Sequence, residues 1–252
     1  MKEERYFYVP DAATATELPQ EEAMHALRVL RLAEGDEISL VDGEGTLYKA
    51  VITAATGKHC HFDISERLPQ QRPWKGRLHI AMAPTKMMER TEWMAEKVTE
   101  IGVDELSFPE CRFSERRKLR KERIEKVVVA AMKQSHKAWM PQVNEMCTFK
   151  QLIDSERGGL KYICHCYNEI EREDLITLLK EAAAEARNNN TDNTTDEDIT
   201  ILIGPEGDFS VEEVRYAMSK GYRSTSLGPS RLRTETAATV AATLARFFKL
   251  TN

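Results

Sequence analysis

Two glycine-bearing loops in the last third of the chain carry the residue types best suited to chemistry. The first is Ile203-Gly204-Pro205-Glu206-Gly207-Asp208-Phe209, and the second is Leu227-Gly228-Pro229-Ser230-Arg231-Leu232-Arg233-Thr234-Glu235-Thr236. Glycine lets a backbone approach a ligand closely or adopt positive φ, and proline fixes a turn, so each loop is suited to presenting backbone groups rigidly. The same composition also suits two plain tight turns. A phosphate cradle asks for consecutive backbone N–H groups and a lysine. Here Pro205 removes a donor, Glu206 and Asp208 add negative charge, and neither loop has a lysine. Nucleoside triphosphates are therefore disfavoured.

A ligand without phosphate and with a positive centre, such as the sulfonium of S-adenosylmethionine, meets no such repulsion. A dinucleotide finds no support either, because the run Leu78–Ala83 ends in Pro84-Thr85 with no G-x-G-x-x-G. The triplet Cys164-His165-Cys166 invites a metal reading, but it lies at the end of an apolar run where successive side chains alternate between faces, so no metal site is expected.

The elements that must position these loops follow from periodicity. Short apolar runs at Leu78–Ala83, Glu105–Phe108, Tyr162–Cys166, Thr200–Ile203 and Arg223–Leu227 alternate with stretches of helical period. That rhythm predicts an α/β domain with a mostly parallel sheet covered by helices, and it places both loops at carboxyl ends of strands, where open sheets put their ligands. Ser210-Val211-Glu212-Glu213 predicts a capping box, and Gly221 the stop of the same helix. The first seventy residues predict a small β-rich domain: a strand at Tyr6–Val9, a helix at Glu21–Leu32, and a hairpin of Glu37–Val41 and Tyr48–Ile52 around Asp42-Gly43-Glu44-Gly45. Leu68–Pro73 reads as a linker, giving domains 1–70 and 74–252. Asn188–Asp198 has almost nothing to bury and predicts a mobile loop without chemistry.

Composition sets the company these domains keep. With 41% hydrophobic and 31% charged residues the chain reads as an ordinary globular protein, and no stretch suits a signal peptide or membrane span. Its five scattered cysteines lack any C-x-x-C pair, which fits a reducing, cytoplasmic compartment. The net charge of −5 argues against nucleic acid until it is mapped along the chain. Glu169–Thr200 holds ten acidic and three basic residues, so the remainder sums to +2, and Arg112–Lys126 holds eight basic against three acidic. Global acidity thus conceals a local basic surface.

The paired segments Leu202-Ile203-Gly204-Pro205-Glu206-Gly207 and Ser226-Leu227-Gly228-Pro229, with Leu232-Arg233-Thr234-Glu235-Thr236-Ala237, resemble the signatures of SPOUT methyltransferases. They are most similar to the branch that makes 3-methyluridine in 16S ribosomal RNA. Arg5–Tyr8 and His25–Arg31 are similar to that branch's PUA-like RNA-binding domain, and Glu89–Val103 and Phe113–Arg116 to further blocks. Two departures stand out: Asp208 replaces a common glycine, and Gln134–Lys137 occupies the place of a glycine-arginine pair.

The resemblance implies a C-terminal trefoil knot, a homodimer, S-adenosylmethionine as cofactor and 16S ribosomal RNA or the small ribosomal subunit as partner. It implies cofactor contacts from Leu202, Ile203, Gly204, Pro205, Glu206, Gly207, Leu227, Gly228, Leu232 and Thr234. Arg233 would stabilise charge developing on uracil carbonyls, or cap or pair locally. Glu235 and Glu206 are the candidate carboxylates for a base or for facing the sulfonium, with pairing to Arg231 or Arg233 the alternative. Arg5, His25, Arg28 and Arg31, the last three spaced to share a helix face, and Arg116, Arg117 and Lys118 are the expected RNA contacts, or else solvated faces. Ribose methylation by another SPOUT enzyme, and a non-catalytic RNA-binding assembly protein, are the rival readings.

Overall fold

The computed structural model describes residues 5–72, 74–188 and 198–251, so most of the polar stretch 188–198 lies outside the described residues. The chain divides into two units, Met1–Arg72 with Val129–Met140, and Pro73–Val128 with Pro141–Asn252. The structure thus departs from a single cut near residue 70, because a later segment joins the first unit.

The first unit holds β1 (Tyr6–Tyr8), α1 (Gln20–Met24), β2 (Glu37–Val41), β3 (Thr46–Thr56) and β4 (His59–Pro69) in a sheet of order β1-β2-β3-β4. The β2–β3 hairpin is antiparallel, as its turn residues predict. Phe7, Leu40, Tyr48, Ile52 and Phe62 form its core with Ala23 and Ala26 of the helical segment. β4 runs through Leu68-Pro69, which composition alone reads as linker. Pro69 pairs with Thr46 at the sheet margin, where a missing N–H is tolerated.

The expected helix Glu21–Leu32 is corrected by the structure. The α-helix stops at Met24, and His25–Val29 continues as a π-helical turn in which the Leu30 N–H donates to the His25 carbonyl. Arg31 lies beyond it at φ 55°. Three-residue spacing shares a face on an α-helix but not on the wider π-helical turn, so His25, Arg28 and Arg31 do not form the expected stripe, although each is exposed. His136, within Gln134–Lys137, has φ 54°, the left-handed region a glycine would favour, and stacks on Tyr6 with ring centroids 4.5 Å apart.

The second unit is a seven-stranded, wholly parallel sheet covered by helices. Its elements are β5 (Leu78–Met82), α2 (Met88–Ile101), β6 (Glu105–Glu110), the first part of α3 (Lys121–Gln134, of which 129–134 fall in the first unit), β7 (Gln142–Thr148), α4 (Phe149–Asp154), β8 (Leu160–Cys164), β9 (Glu173–Asp174), α5 (Leu175–Asn188), β10 (Ile199–Ile203), α6 (Val211–Ser219), β11 (Arg223–Ser226) and α7 (Thr234–Thr251). The strand order is β7-β6-β5-β10-β8-β11-β9. β5 and β10 are buried at every residue, as strands covered on both faces must be. α6 begins with the expected capping box, Ser210 Oγ accepting from the Glu213 N–H and Glu213 Oε2 accepting from the Ser210 N–H, and Gly221 ends it at φ 86°. No described helix is long and apolar enough to cross a membrane.

Candidate active site

Strand β8 brings the two glycine loops together. It pairs in parallel with β10 on one side and β11 on the other, so the loops leaving those strands emerge on either side of its carboxyl end. Both line one cleft of about 1020 Å³. Of the expected residues, Ile203, Gly204, Pro205, Glu206, Leu227, Gly228, Leu232, Arg233 and Thr234 line it.

Three expected residues do not. Leu202 is fully buried in the apolar cluster with Ala81, Ile163 and Phe209, as strand alternation directs the middle residue of 201–203 away from its neighbours' face. Gly207 meets Phe113, whose Cβ would lie 3.0 Å from a Cβ added at the glycine. Glu235 is 7% exposed and forms an ion pair with Arg90 at 3.8 Å, not with Arg231 or Arg233.

The loop geometry explains the residue choices. Gly204 carries no side chain because the loop doubles back on it: an added Cβ would stand 3.0 Å from the Phe209 nitrogen. Gly228 has φ 105°, which L side chains rarely adopt. Asp208 stands at φ 67°, where a glycine would be at ease. Its carboxylate supplies the compensation, accepting from the Cys166 N–H and from the Phe209 N–H, both at 2.8 Å.

The third wall is the one that the sequence reading passed over. Cys164, His165, Cys166, Asn168 and Arg172 line the cleft between the two loops. The signal was available, since this triplet also sits at a strand's carboxyl end. The Ser224 hydroxyl donates to the Glu171 carbonyl at 2.7 Å, so it accepts from His165 Nε2–H at 2.7 Å, while the Tyr167 N–H donates to His165 Nδ1 at 3.2 Å. Both ring nitrogens are thus committed in the neutral form, and burial holds the pKa of His165 below its usual value. Burial likewise pushes both thiols up, aided for each by the charge of Asp208, so neither is a thiolate near neutral pH. Tyr167 Oη donates to the Phe209 carbonyl at 2.6 Å, completing the clamp between the β8 exit and the first loop.

The cleft's charges sort into held and free groups. Arg172 donates to the His165 carbonyl at 2.7 Å and to Asn168, and Asp174 accepts from Ser226. Glu206 Oε1 accepts the Lys86 N–H at 3.0 Å. Arg231 and Arg233 are exposed and carry no ion pair among the described residues. No lysine lines the cleft. Among the described residues no group of three His, Cys, Asp or Glu side chains is placed to hold a metal.

This architecture has known counterparts. A family model described as RNA methyltransferase domain matches residues 72–246. The chain belongs to that RNA methyltransferase family. A second model, described as RNA methyltransferase PUA domain, matches residues 18–65. The methyltransferase is similar to a probable rRNA-methyltransferase from Porphyromonas gingivalis, with 40% identity, a TM-score of 0.85, and coverage of 97% of this chain and 98% of that one. A Legionella pneumophila methyltransferase solved with the bound cofactor S-adenosylmethionine is 25% identical over 95% of this chain and 96% of its own, with a TM-score of 0.77. The ribosomal RNA small subunit methyltransferase E of Rickettsia conorii is 29% identical over 89% of this chain and 86% of its length.

The expected RNA contacts of this methyltransferase fall in both units. Arg5, His25, Arg28 and Arg31 are exposed on the first. In the second, Arg116 turns out to be half-buried and engaged. Its Nε donates to the Thr85 carbonyl at 2.9 Å and its Nη2 to the Lys86 carbonyl at 2.5 Å, bracing the segment that meets Glu206. Two carbonyl contacts hold this guanidinium in place, so Arg116 is a brace before it is a phosphate contact. Arg117 pairs with Glu110 at 3.3 Å, and Lys118 is exposed with no ion pair among the described residues.

Proposed function

We propose that this protein uses S-adenosylmethionine to methylate N3 of a uridine in 16S ribosomal RNA. The observation that carries the reading is the single cleft lined by both glycine loops at the ends of β10 and β11. The residues present fit the cofactor. Ile203, Leu227 and Leu232 offer apolar surface for an adenine, Glu206 offers negative charge toward a sulfonium, and an added Cβ at Gly228 would meet no protein atom within 4 Å. S-adenosylmethionine, when bound, supplies an electrophilic methyl group. The chain does the rest by positioning: backbone groups of residues 203–206 and 227–234 hold the ligand, and Arg233 donates its fixed fork to the uracil carbonyl oxygens as N3 loses its proton. Glu235 holds Arg90 at the cleft wall.

The reading extends to architecture and partners. The C-terminal segment is threaded as a SPOUT trefoil knot, a rare exception to unknotted topology, and the β10–β8–β11 order supports it, since the chain from β10 must pass β8 to reach β11. The enzyme acts as a cytoplasmic homodimer, and its first domain, residues 1–70, is PUA-like and contacts RNA through Arg5, His25, Arg28 and Arg31, with Arg117 and Lys118 contributing from domain 74–252. The free cysteines fit the compartment. The relatives named as small subunit methyltransferase E support the RNA. The test is mass spectrometry of nucleosides from small-subunit RNA incubated with protein and cofactor. Wild type yields 3-methyluridine and Arg233→Ala yields little; a 2′-O-methyl nucleoside in its place, or no product, overturns the assignment.

A further inference from the structure

A second cavity, of about 920 Å³, opens in the catalytic unit and shares no lining residue with the cofactor cleft. Five cations line it, Arg116, Arg117, Lys118, Arg120 and Arg123, against one carboxylate, Glu110. The floor is different in kind: Met88, Leu119 and Met146 are half-buried apolar side chains. Three of the cations are already engaged, Arg116 with the Thr85 and Lys86 carbonyls, Arg117 with Glu110 and Arg123 with Glu92. Lys118 and Arg120 are exposed and carry no ion pair among the described residues.

We infer that this cavity seats one nucleotide of single-stranded RNA beside the methylation target, with Lys118 and Arg120 on its phosphates and the unstacked base on the methionine and leucine floor. The inference rests on the reading of the chain as an RNA-modifying enzyme. A cationic rim over an apolar floor matches a nucleotide, which is anionic along its backbone and flat and apolar on the base face. A double helix keeps its bases stacked away from such a floor, so the occupant is unpaired. Arg116 lies between the two sites, reaching from this cavity to the carbonyls of Thr85 and Lys86, and the Lys86 N–H in turn holds Glu206 of the cofactor cleft.

The test measures binding of a mixed-sequence single-stranded RNA oligonucleotide by fluorescence anisotropy across a range of salt. Lys118→Ala/Arg120→Ala removes two phosphate contacts, so the slope of log Kd against log salt should flatten by about 1.4, the value for two charges on a single strand. Met146→Ser should weaken binding of the intact oligonucleotide severalfold while leaving binding of a fully abasic version unchanged. S-adenosylmethionine affinity, read by calorimetry, should stay at the wild-type level in both variants. An unchanged slope in the charge variant overturns the inference. So does equal loss of inorganic tripolyphosphate binding with no effect of Met146→Ser, which would make the cavity a plain anion patch. If Met146→Ser fails to fold, the charge variant decides alone, since both its residues are exposed. Wild-type protein that binds no RNA at any salt would sink the methylation reading itself, an outcome distinct from variants that behave like wild type.

Discussion

Replacing Asp208 separates two contributions to the cleft. The residue sits at φ 67° and its carboxylate bonds the Cys166 and Phe209 N–H groups at 2.8 Å each. Asp208→Gly removes the hydrogen bonds but suits the backbone. Asp208→Ala removes the same bonds and leaves a Cβ in the left-handed region, without the local hydrogen bond that helps aspartate there. A bond to a charged acceptor contributes about 1.5–3 kcal/mol when buried. The half-exposed site reduces the loss to about 1 kcal/mol, because water replaces part of it. The left-handed region costs an L-residue about 1–2 kcal/mol. Wild-type aspartate already bears that cost, so the glycine variant, which relieves it, should stay within about 1 kcal/mol of wild type, while the alanine variant should lose about 1 kcal/mol, which for a chain of this size lowers Tm by about 2–4 °C. Thermal unfolding reads the first quantity, and calorimetry with S-adenosylmethionine the second. Affinity should fall by a similar factor in both variants, since both release the β8 exit from the first loop. An alanine variant as stable as the glycine variant would refute the backbone argument. Unchanged affinity in both would refute the clamp.

Arg233→Ala should lower kcat by about 10²–10³, the usual loss of one charge-stabilising donor, with S-adenosylmethionine affinity held within about twofold. Gly228→Ala should weaken cofactor affinity more than it lowers Tm, because the added Cβ meets no protein atom within 4 Å and only the φ of 105° resists it; calorimetry and thermal unfolding together check this. Acid should destabilise the fold in two stages. Burial, with the nearby Arg157 charge, holds buried His79 at about 3 against its usual 6.5, so its contribution is complete above 6.5 and is lost as pH falls toward 3. Burial pushes Glu105 up, but the Arg157 fork and neighbouring charges pull it down further, to about 2 against its usual 4.5, so its share is complete above 4.5 and is lost below. In urea titrations across pH, His79→Asn should flatten the limb between 6.5 and 4.5, and Glu105→Gln only the limb beneath it.

What the sequence made legible follows from how much of each element's reason is local. β5 and β10 are continuous apolar runs because both faces are covered, and the Ser210 capping box is written within four residues. β7 and β4 escaped because their reason is not local. Gln142–Thr148 is a polar edge strand that pairs only with β6, and His59–Pro69 is largely exposed and held by β3. The helix at Glu21–Leu32 was legible as a helix, but its switch to π-helical pairing at His25 was not, because apolar periodicity does not report which carbonyl an N–H selects. In the cleft, the two loops announced themselves through glycine and proline. Cys164–Cys166 did not, since its part depends on partners 42 and 59 residues away, Asp208 and Ser224.

Those distant partners also bear on where the imide proton goes. His165 already donates from Nε2 and accepts at Nδ1, so it has no lone pair to offer. The thiols of Cys164 and Cys166 are held protonated. Asp208 spends both oxygens on backbone N–H groups, Asp174 is taken by Ser226, and Glu235 is buried against Arg90. Among the cleft's carboxylates Glu206 keeps Oε2 without a hydrogen bond among the described residues, and two guanidiniums without an ion pair there, Arg231 and Arg233, line the same cleft. The imide of uracil is itself weakly acidic, and cations beside its carbonyls stabilise the anion more than the neutral base, lowering its pKa. A cleft built this way promotes proton loss by stabilising what remains, with water or Glu206 to carry the proton off. It follows that the pH–rate profile should respond to charge at residue 233: Arg233→Ala should shift the rise of kcat to higher pH, while Glu235→Gln should leave its position unchanged. A shift with Glu235→Gln and none with Arg233→Ala would assign the proton to the carboxylate after all.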